Sequence, residues 1–159
     1  MVYTLQQMEA EVPKEYDSYA YFTITSSLPL TAIEAYMGRS GDGSCWTNGE
    51  NRRPPKRGSY SFSRWSLLSG VDHGRPIDEH LQALWRRLSE YRERIVELPE
   101  EMTASVPCVG YFKSHLDKVE FASGHFATAA YYGLTFDCDF YFDDEFGNED
   151  LGEPYWSWD

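Results

Sequence analysis

The chain has 159 residues, a formal net charge of −12 at pH 7 and 16% aromatic residues. A chain of this length buries enough surface for one domain with a hydrophobic core, and a second domain is not expected. The excess of acid disfavours nucleic acid as a partner and favours a protein with an exposed basic surface. We therefore expect a single domain over 1–159, with its core at about 17–143 and an acidic aromatic C-terminal extension at 144–159.

The cysteines and the apolar runs indicate the compartment. Cys45, Cys108 and Cys138 are far apart in sequence and form no C-x-x-C pair, a pattern that is typical of a reducing compartment. No apolar run approaches about 18 residues, and the first residues lack the segments of a signal peptide. These features predict a cytoplasmic protein that binds no membrane.

The first part of the chain predicts a strand, a short helix and a long loop. In "YAYFTITSS", Ala20, Phe22 and Ile24 alternate with the other residues, as in a half-buried strand. The next stretch, "LPLTAIEAYMG", has helical spacing and ends at Gly38, a residue suited to a left-handed C-cap. Residues 39–58 are rich in Gly, Asn, Pro and charge, which indicates an exposed loop whose "RRPPKR" stretch is locally basic.

A strand and the longest helix follow. The stretch "YSFSRWSLLSG" predicts a strand with a bulge between Phe62 and Trp65, where the apolar phase slips. The stretch "PIDEHLQALWRRLSEYRERIVELP" has apolar residues at alternating spacings of four and three, and it predicts one helix that begins at Pro76 and stops before Pro99.

The last elements are a strand, a short helix and a final strand. "ASVPCVGYFKSH" resembles a strand, and "SGHFATAAYYG" predicts a helix with Ser123 as N-cap and Gly133 as its stop. In "LTFDCDFYFDD" apolar residues alternate with mainly acidic ones, so the predicted strand has one apolar and one acidic face. Helices on one face of a mainly antiparallel sheet would bury every apolar stripe, which predicts an α+β two-layer sandwich with a ferredoxin-like, split β-α-β tendency.

Four stretches together, "YFTITSSLPLTAIEAYMG", "RWSLLSG", "PIDEHLQALWRRLSEYRERI" and "SGHFATAAYYGLTFDCDFYF", resemble the bacterial domain of unknown function family 4279. The similarity runs from about Tyr19 to Phe142 and implies a small bacterial α+β domain. It brings no established catalytic or binding residue. The loop after Gly38 is longer and more basic than the family's usual pattern, and the segment after Asp143 is additional.

The segment from Phe136 to Asp159 holds nine carboxylate side chains and no Lys, Arg or His. The negative electrostatic field of these carboxylates attracts a basic partner, and the aromatic residues of the segment supply contact area. We therefore expect a non-enzymatic binding or inhibitor protein that neutralises a basic partner: an immunity protein against a bacterial toxin acting on nucleic acid, or, as a near variant, a nuclease inhibitor by charge mimicry. The expected partner-binding residues are Asp137, Asp139, Asp143, Asp144, Glu145, Tyr155, Trp156 and Trp158. A purely solubilising tail is the simpler alternative.

Other classes of function have weaker signals. Asp137 and Asp139 lie on one face of a predicted strand, about 7 Å apart, and the alternative function is a small-molecule or metal-binding domain, catalytic or not, around them. A nucleophilic Cys45 with a histidine base has no supporting spacing, and no G-x-S-x-G motif is present. The sequence thus predicts no enzyme, no cofactor and no metal, and it leaves the oligomeric state open.

Overall fold

The computed structural model describes residues 16–112 and 119–142. Its strands and helices follow the predicted chain order and confirm the α+β class. No described helix is long and apolar enough to span a bilayer. The elements are β1 (Tyr16–Ser26), α1 (Leu30–Met37), β2 (Ser63–Leu68), α2 (Ile77–Leu88), a 3₁₀ turn (Ser89–Tyr91), α3 (Arg92–Val96), β3 (Met102–Phe112), α4 (Ser123–Tyr132) and β4 (Thr135–Phe142).

The four strands form one sheet in the order β2-β1-β3-β4. Strand β1 is antiparallel to both β2 and β3, whereas β3 and β4 are parallel. The segment between β3 and β4 contains α4 and is long enough to return the chain to the same end of the sheet, as parallel pairing requires. Because β3 and β4 are direct neighbours, no strand separates them, and the split β-α-β arrangement of the ferredoxin-like fold is not formed by this pair.

The hydrophobic core lies between the sheet and one layer of helices. Trp65 of β2 is fully buried in this core. The Trp65 ring is edge-on to the ring of Phe22 in β1, with 6.2 Å between the ring centres. The indole N–H of Trp65 donates to the Arg39 carbonyl at 3.1 Å. The predicted alternation of β1 is confirmed, since Ala20, Phe22 and Ile24 all face this core. Other fully buried members are Ile33, Met37, Leu67, Leu81, Leu84, Leu88, Val106 and Cys108.

The predicted single long helix is interrupted. Its apolar stripe is buried as expected, but the 3₁₀ turn separates α2 from α3. At this turn the Ser89 hydroxyl donates to the Arg86 carbonyl at 2.6 Å, and such a bond competes with the regular helical ladder. Periodicity alone did not show this, because the turn keeps the stripe facing the core. The stripe consists of Ile77, Leu81, Leu84, Leu88 and Ile95.

Two predicted helix stops are confirmed, and one predicted N-cap is wrong. Gly38 and Gly133 have φ values of 74° and 70°, the left-handed conformation that favours glycine. Ser123 is instead the first residue of α4, and the capping position is held by Ala122 in an extended conformation. A helical Ser123 cannot cap its own helix, because an N-cap residue has a non-helical backbone.

The 39–58 loop lies along the free edge of β2 instead of projecting into solvent. Trp46 and Arg64 exchange two backbone hydrogen bonds, of 3.1 and 2.9 Å. The predicted bulge is not formed, since β2 pairs with β1 in unbroken register from Ser63 to Leu68. The apolar phase slips because Phe62, 37% exposed, lies outside the strand.

Candidate functional site

The sheet face opposite the helices, called here the open face, carries aromatic, hydroxyl and charged side chains. They lie there because successive residues of a strand point to opposite faces. Several are buried although no described helix covers them, so this face is more than a solvated surface. Its members are Tyr19, Tyr21, Thr23, Arg64, Ser66, Val109, Tyr111, Asp137, Asp139 and Tyr141.

Tyrosines form the centre of the open face. The rings of Tyr19 and Tyr21 lie 6.2 Å apart, and those of Tyr111 and Tyr141 stack at 5.1 Å with an angle of 11° between their planes. Burial raises the pKa of Tyr19 and Tyr21 above the ordinary value, and burial with the nearby Tyr141 raises the pKa of Tyr111 to about 12. The phenols are therefore neutral at physiological pH and act as hydrogen-bonding groups on an apolar surface.

Arg64 lies beside these tyrosines on β2. Its Nε donates to the hydroxyls of Thr23 at 3.3 Å and Ser66 at 3.2 Å, and its Nη2 donates to the Tyr21 hydroxyl at 2.5 Å. The guanidinium carbon also lies 5.1 Å from the Tyr21 ring centre and 5.0 Å from that of Trp46. Two aromatic contacts and three neutral acceptors thus fix the guanidinium in one orientation.

A pocket of about 270 Å³ opens next to Arg64. One wall is a stacked pair, because the His73 ring lies 4.3 Å from the Tyr19 ring with only 11° between their planes. His73 Nδ1 is also 3.4 Å from an oxygen of Asp17. The lining consists of Tyr19, Tyr21, Ser44, Arg64, Ser66, Leu68 and His73.

The predicted acidic strand is confirmed as β4, at one edge of the sheet. Asp137 and Asp139 are exposed, and within residues 16–112 and 119–142 neither carboxylate has an ion-pair partner. Phe136 and Phe140 pack on the core from the opposite face. The other predicted partner-binding residues lie outside the described residues: Asp143, Asp144, Glu145, Tyr155, Trp156 and Trp158.

A buried serine and histidine are in contact at the end of β2. Ser69 Oγ lies 2.7 Å from His80 Nδ1, and the same hydroxyl accepts the Val71 backbone N–H at 3.2 Å. His80 is 0% exposed and Ser69 is 7% exposed, and burial lowers the pKa of His80. Both residues also line a pocket of about 310 Å³. The contact ties the end of β2 to α2.

A second buried histidine joins α2 to α4. His125 Nε2 is 2.5 Å from an Asp78 oxygen, and its Nδ1 accepts the Trp85 indole N–H at 2.9 Å. These partners assign the Nε2–H tautomer, because Nδ1 must be an acceptor. The hydrogen bond from His125 is the main reason why the pKa of Asp78 is lowered. Since both ring nitrogens are occupied, this histidine has no free nitrogen for acid-base catalysis.

The three cysteines are free thiols. Cys45 accepts the Ser66 backbone N–H at 3.4 Å, and burial raises its pKa. Cys108 and Cys138 are direct partners in the β3–β4 pairing, and burial raises the pKa of both. Thiols with a raised pKa are weak nucleophiles at neutral pH, so the structure provides no activation for Cys45.

Sequence reasoning predicted the acidic strand but missed the tyrosines and Arg64 as a site. The signal for Tyr19 and Tyr21 was present in the alternation of β1, where these residues occupy the face opposite the core. Arg64 had no such signal, because its partners come from β1, β2 and the 39–58 loop.

Comparison with known proteins places the chain in a family. Neither a curated protein nor a solved structure shows significant similarity to it. The model of the family described as "Domain of unknown function (DUF4279)" matches residues 14–143. That match includes every described strand and helix, from β1 to β4. The chain therefore belongs to the DUF4279 family.

Proposed function

We propose that this protein is a non-enzymatic binding protein of the bacterial cytoplasm that neutralises a basic protein partner, as an immunity protein against a toxin that acts on nucleic acid. Inhibition of a nuclease by charge mimicry is a near variant with the same chemistry. The observation that carries the proposal is that Asp137 and Asp139 are exposed and lack ion-pair partners in the described part of the chain. A toxin that binds nucleic acid needs a cationic groove, and exposed carboxylates complement such a groove.

The locally basic 39–58 loop lies too far away to neutralise these carboxylates. The 39–58 loop runs along β2, at the opposite edge of the sheet from β4. Three interstrand spacings separate the two edges, about 14 Å in all. This distance exceeds the Debye length of about 8 Å at physiological ionic strength, so the acidic edge keeps its attraction for an external cation.

An aromatic side chain stands next to the carboxylates. Tyr141 shares the open face with Asp137 and Asp139, is 41% exposed, and is supported from behind by its stacking on Tyr111. A rigid, partly exposed tyrosine beside charges that steer association is a common composition of binding surfaces. In the proposal, the carboxylates of Asp143, Asp144 and Glu145 extend this surface, and Tyr155, Trp156 and Trp158 add aromatic anchors.

The test is capture of the partner by a tagged full-length chain from its native cells. We expect a stoichiometric partner with a basic surface, whose association slows steeply as salt is added. Co-expression with that partner should restore growth of a sensitive host, and the purified complex should lack the partner's activity on nucleic acid. The double variant Asp137→Asn and Asp139→Asn should weaken binding at least tenfold, about 1.4 kcal/mol or more.

The matched control removes the same number of negative charges from another part of the surface. Glu90→Gln with Glu93→Gln neutralises two exposed carboxylates of the helical layer and should leave binding within about twofold, since these groups are remote from the open face. Capture of an acidic protein, or equal losses in the two double variants, would count against the proposal. A partner that keeps its activity in the complex would exclude the immunity role.

Among the residues that the structure describes, the metal-binding alternative has no third ligand. Across the described ranges, no group of three or more His, Cys, Asp and Glu side chains is placed to hold a metal ion. Two carboxylates on one strand leave most of the coordination sphere of a hard cation to water. Within the described residues, Asp137 and Asp139 therefore support attraction of a basic partner better than coordination of a metal ion.

A further inference from the structure

Arg64 is a half-buried cation without a carboxylate counter-ion in the part of the chain that the structure describes. Arg39 and Arg87 both pair with Asp42, and Arg75 pairs with Glu79. The chain has 26 acidic residues and only 14 Lys and Arg, so carboxylates are plentiful. Several exposed arginines also lack a carboxylate partner, but the other two half-buried arginines of the described residues, Arg39 and Arg87, both have one. Among the described residues, Arg64 is thus the one half-buried arginine that no carboxylate neutralises.

The neighbours of Arg64 hold it but do not neutralise it. The hydroxyls of Thr23, Ser66 and Tyr21 are neutral acceptors, and they use Nε and Nη2. A guanidinium has five N–H donors in a planar fork, and no described bond uses Nη1. Withdrawing a charge from water without a counter-charge is costly, and the two aromatic contacts offset only part of this cost. An anion from outside would remove the remaining cost.

The pocket limits which anion fits. Its volume of about 270 Å³ suits a molecule about the size of one substituted ring. Its walls are the rings of Tyr19, Tyr21 and His73 together with Leu68, which favour an apolar or aromatic body. Asp17, 3.4 Å from His73, disfavours a second negative charge on the ligand.

We infer that this pocket binds a small organic carboxylate, with the carboxylate on the Arg64 guanidinium and an apolar or aromatic body against the tyrosine rings. The planar fork of arginine matches the two oxygens of a carboxylate. This site is separate from the acidic edge of the proposed function and does not depend on it.

The test is an NMR titration of the full-length chain with benzoate and with benzamide, its neutral counterpart of nearly the same shape. Benzoate should shift the Arg64 Nε–H and Trp46 indole signals saturably, and benzamide should bind at least tenfold more weakly. Phenyl phosphate is the third probe, and it should bind no more tightly than benzoate because of its greater charge. These comparisons use the wild-type protein, so they do not depend on whether a variant folds.

Variants then locate the binding. Arg64→Gln should abolish the response to benzoate, and Arg64→Lys, which keeps the charge but not the fork, should weaken it severalfold. Arg86→Gln removes an exposed arginine from the helical layer and should leave it unchanged. Equal binding of benzoate and benzamide, no saturable response to benzoate, or an unchanged response in Arg64→Gln would overturn the inference. Tighter binding of phenyl phosphate would overturn the assignment to carboxylates.

Discussion

The guanidinium carbon of Arg64 lies 5.0 Å from the centre of the Trp46 ring, so a residue of β2 holds the middle of the 39–58 loop against the sheet. The Trp46 ring also stacks on the Tyr60 ring, with 4.3 Å between the ring centres and 13° between the ring planes. Trp46 is 5% exposed. The loop is thus attached by a buried aromatic side chain, and its position depends on that contact.

Replacing Trp46 with alanine should release the loop. We expect a loss of about 3–5 kcal/mol in the free energy of unfolding, as for other buried aromatic residues changed to alanine. Trypsin should also cut faster at Arg52, Lys56 and Arg57, because proteases act on mobile loops. Urea denaturation and limited proteolysis measure the two effects. Phe62→Ala, at a 37% exposed neighbour of Trp46, is the control and should show much smaller changes in both.

Leu84 tests the helical layer. It is 0% exposed within the stripe that α2 places on the core, so Leu84→Ala should lower the free energy of unfolding by about 2–5 kcal/mol. Val96→Ala at the 50% exposed end of α3 should change it by no more than about 0.5 kcal/mol. Similar losses at the two positions, measured by urea denaturation, would mean that the stripe does not pack as described.

His80 should make stability fall in weak acid. Burial lowers its pKa in the folded protein below the ordinary 6.5, so the unfolded chain takes up a proton at a higher pH than the folded chain does. The contribution of neutral His80 is complete above about pH 6.5 and is lost as pH falls from there towards the folded pKa.

The variant His80→Asn keeps an acceptor for the Ser69 hydroxyl but does not titrate. Its free energy of unfolding at pH 7 should be lower than that of the wild type, and it should depend less on pH between about 7 and 5. Urea denaturation across this range makes the comparison. An equal slope in both proteins would show that another group causes the pH dependence.

Asp78 should act at lower pH. The hydrogen bond from His125 lowers the pKa of Asp78 below the ordinary 3.8, so the folded protein favours the ionised carboxylate. This contribution is present above the unfolded pKa of about 4 and is lost as pH falls from there to the folded pKa. In Asp78→Asn that loss should be missing from the acid limb of the stability curve. Asp72→Asn is the control at a carboxyl outside this network, and its acid limb should match the wild type.

The elements of the fold were predictable because each depends on a local pattern. Alternation in β1 and β4, the stripe of α2, and Gly38 and Gly133 at helix ends all express the preferences of neighbouring residues. The 3₁₀ turn after Leu88 was not visible, because it leaves the periodicity of the apolar stripe intact. The order of strands also depends on contacts between distant segments.

The two candidate sites also differ in whether a local sequence pattern predicts them. The acidic strand was predicted because its carboxylates are two residues apart in sequence. The Arg64 pocket was not, because its lining brings His73 onto Tyr19 and Arg64 onto Tyr21, residues that are far apart in sequence. The pairing of β1 with β2 and the course of the loops bring these residues together.

The two edges of the sheet are protected from other copies of the chain by different means. The 39–58 loop covers the outer side of β2, whereas β4 is the last strand of the described sheet and is lined by two carboxylates. Charge on an outer strand keeps molecules from joining strand to strand, since like charges would meet. Asparagine at Asp137 and Asp139 therefore removes a barrier to self-association. Weaker partner binding by that double variant could then result from self-association instead of lost affinity, and gel filtration of the variant alone distinguishes the two causes.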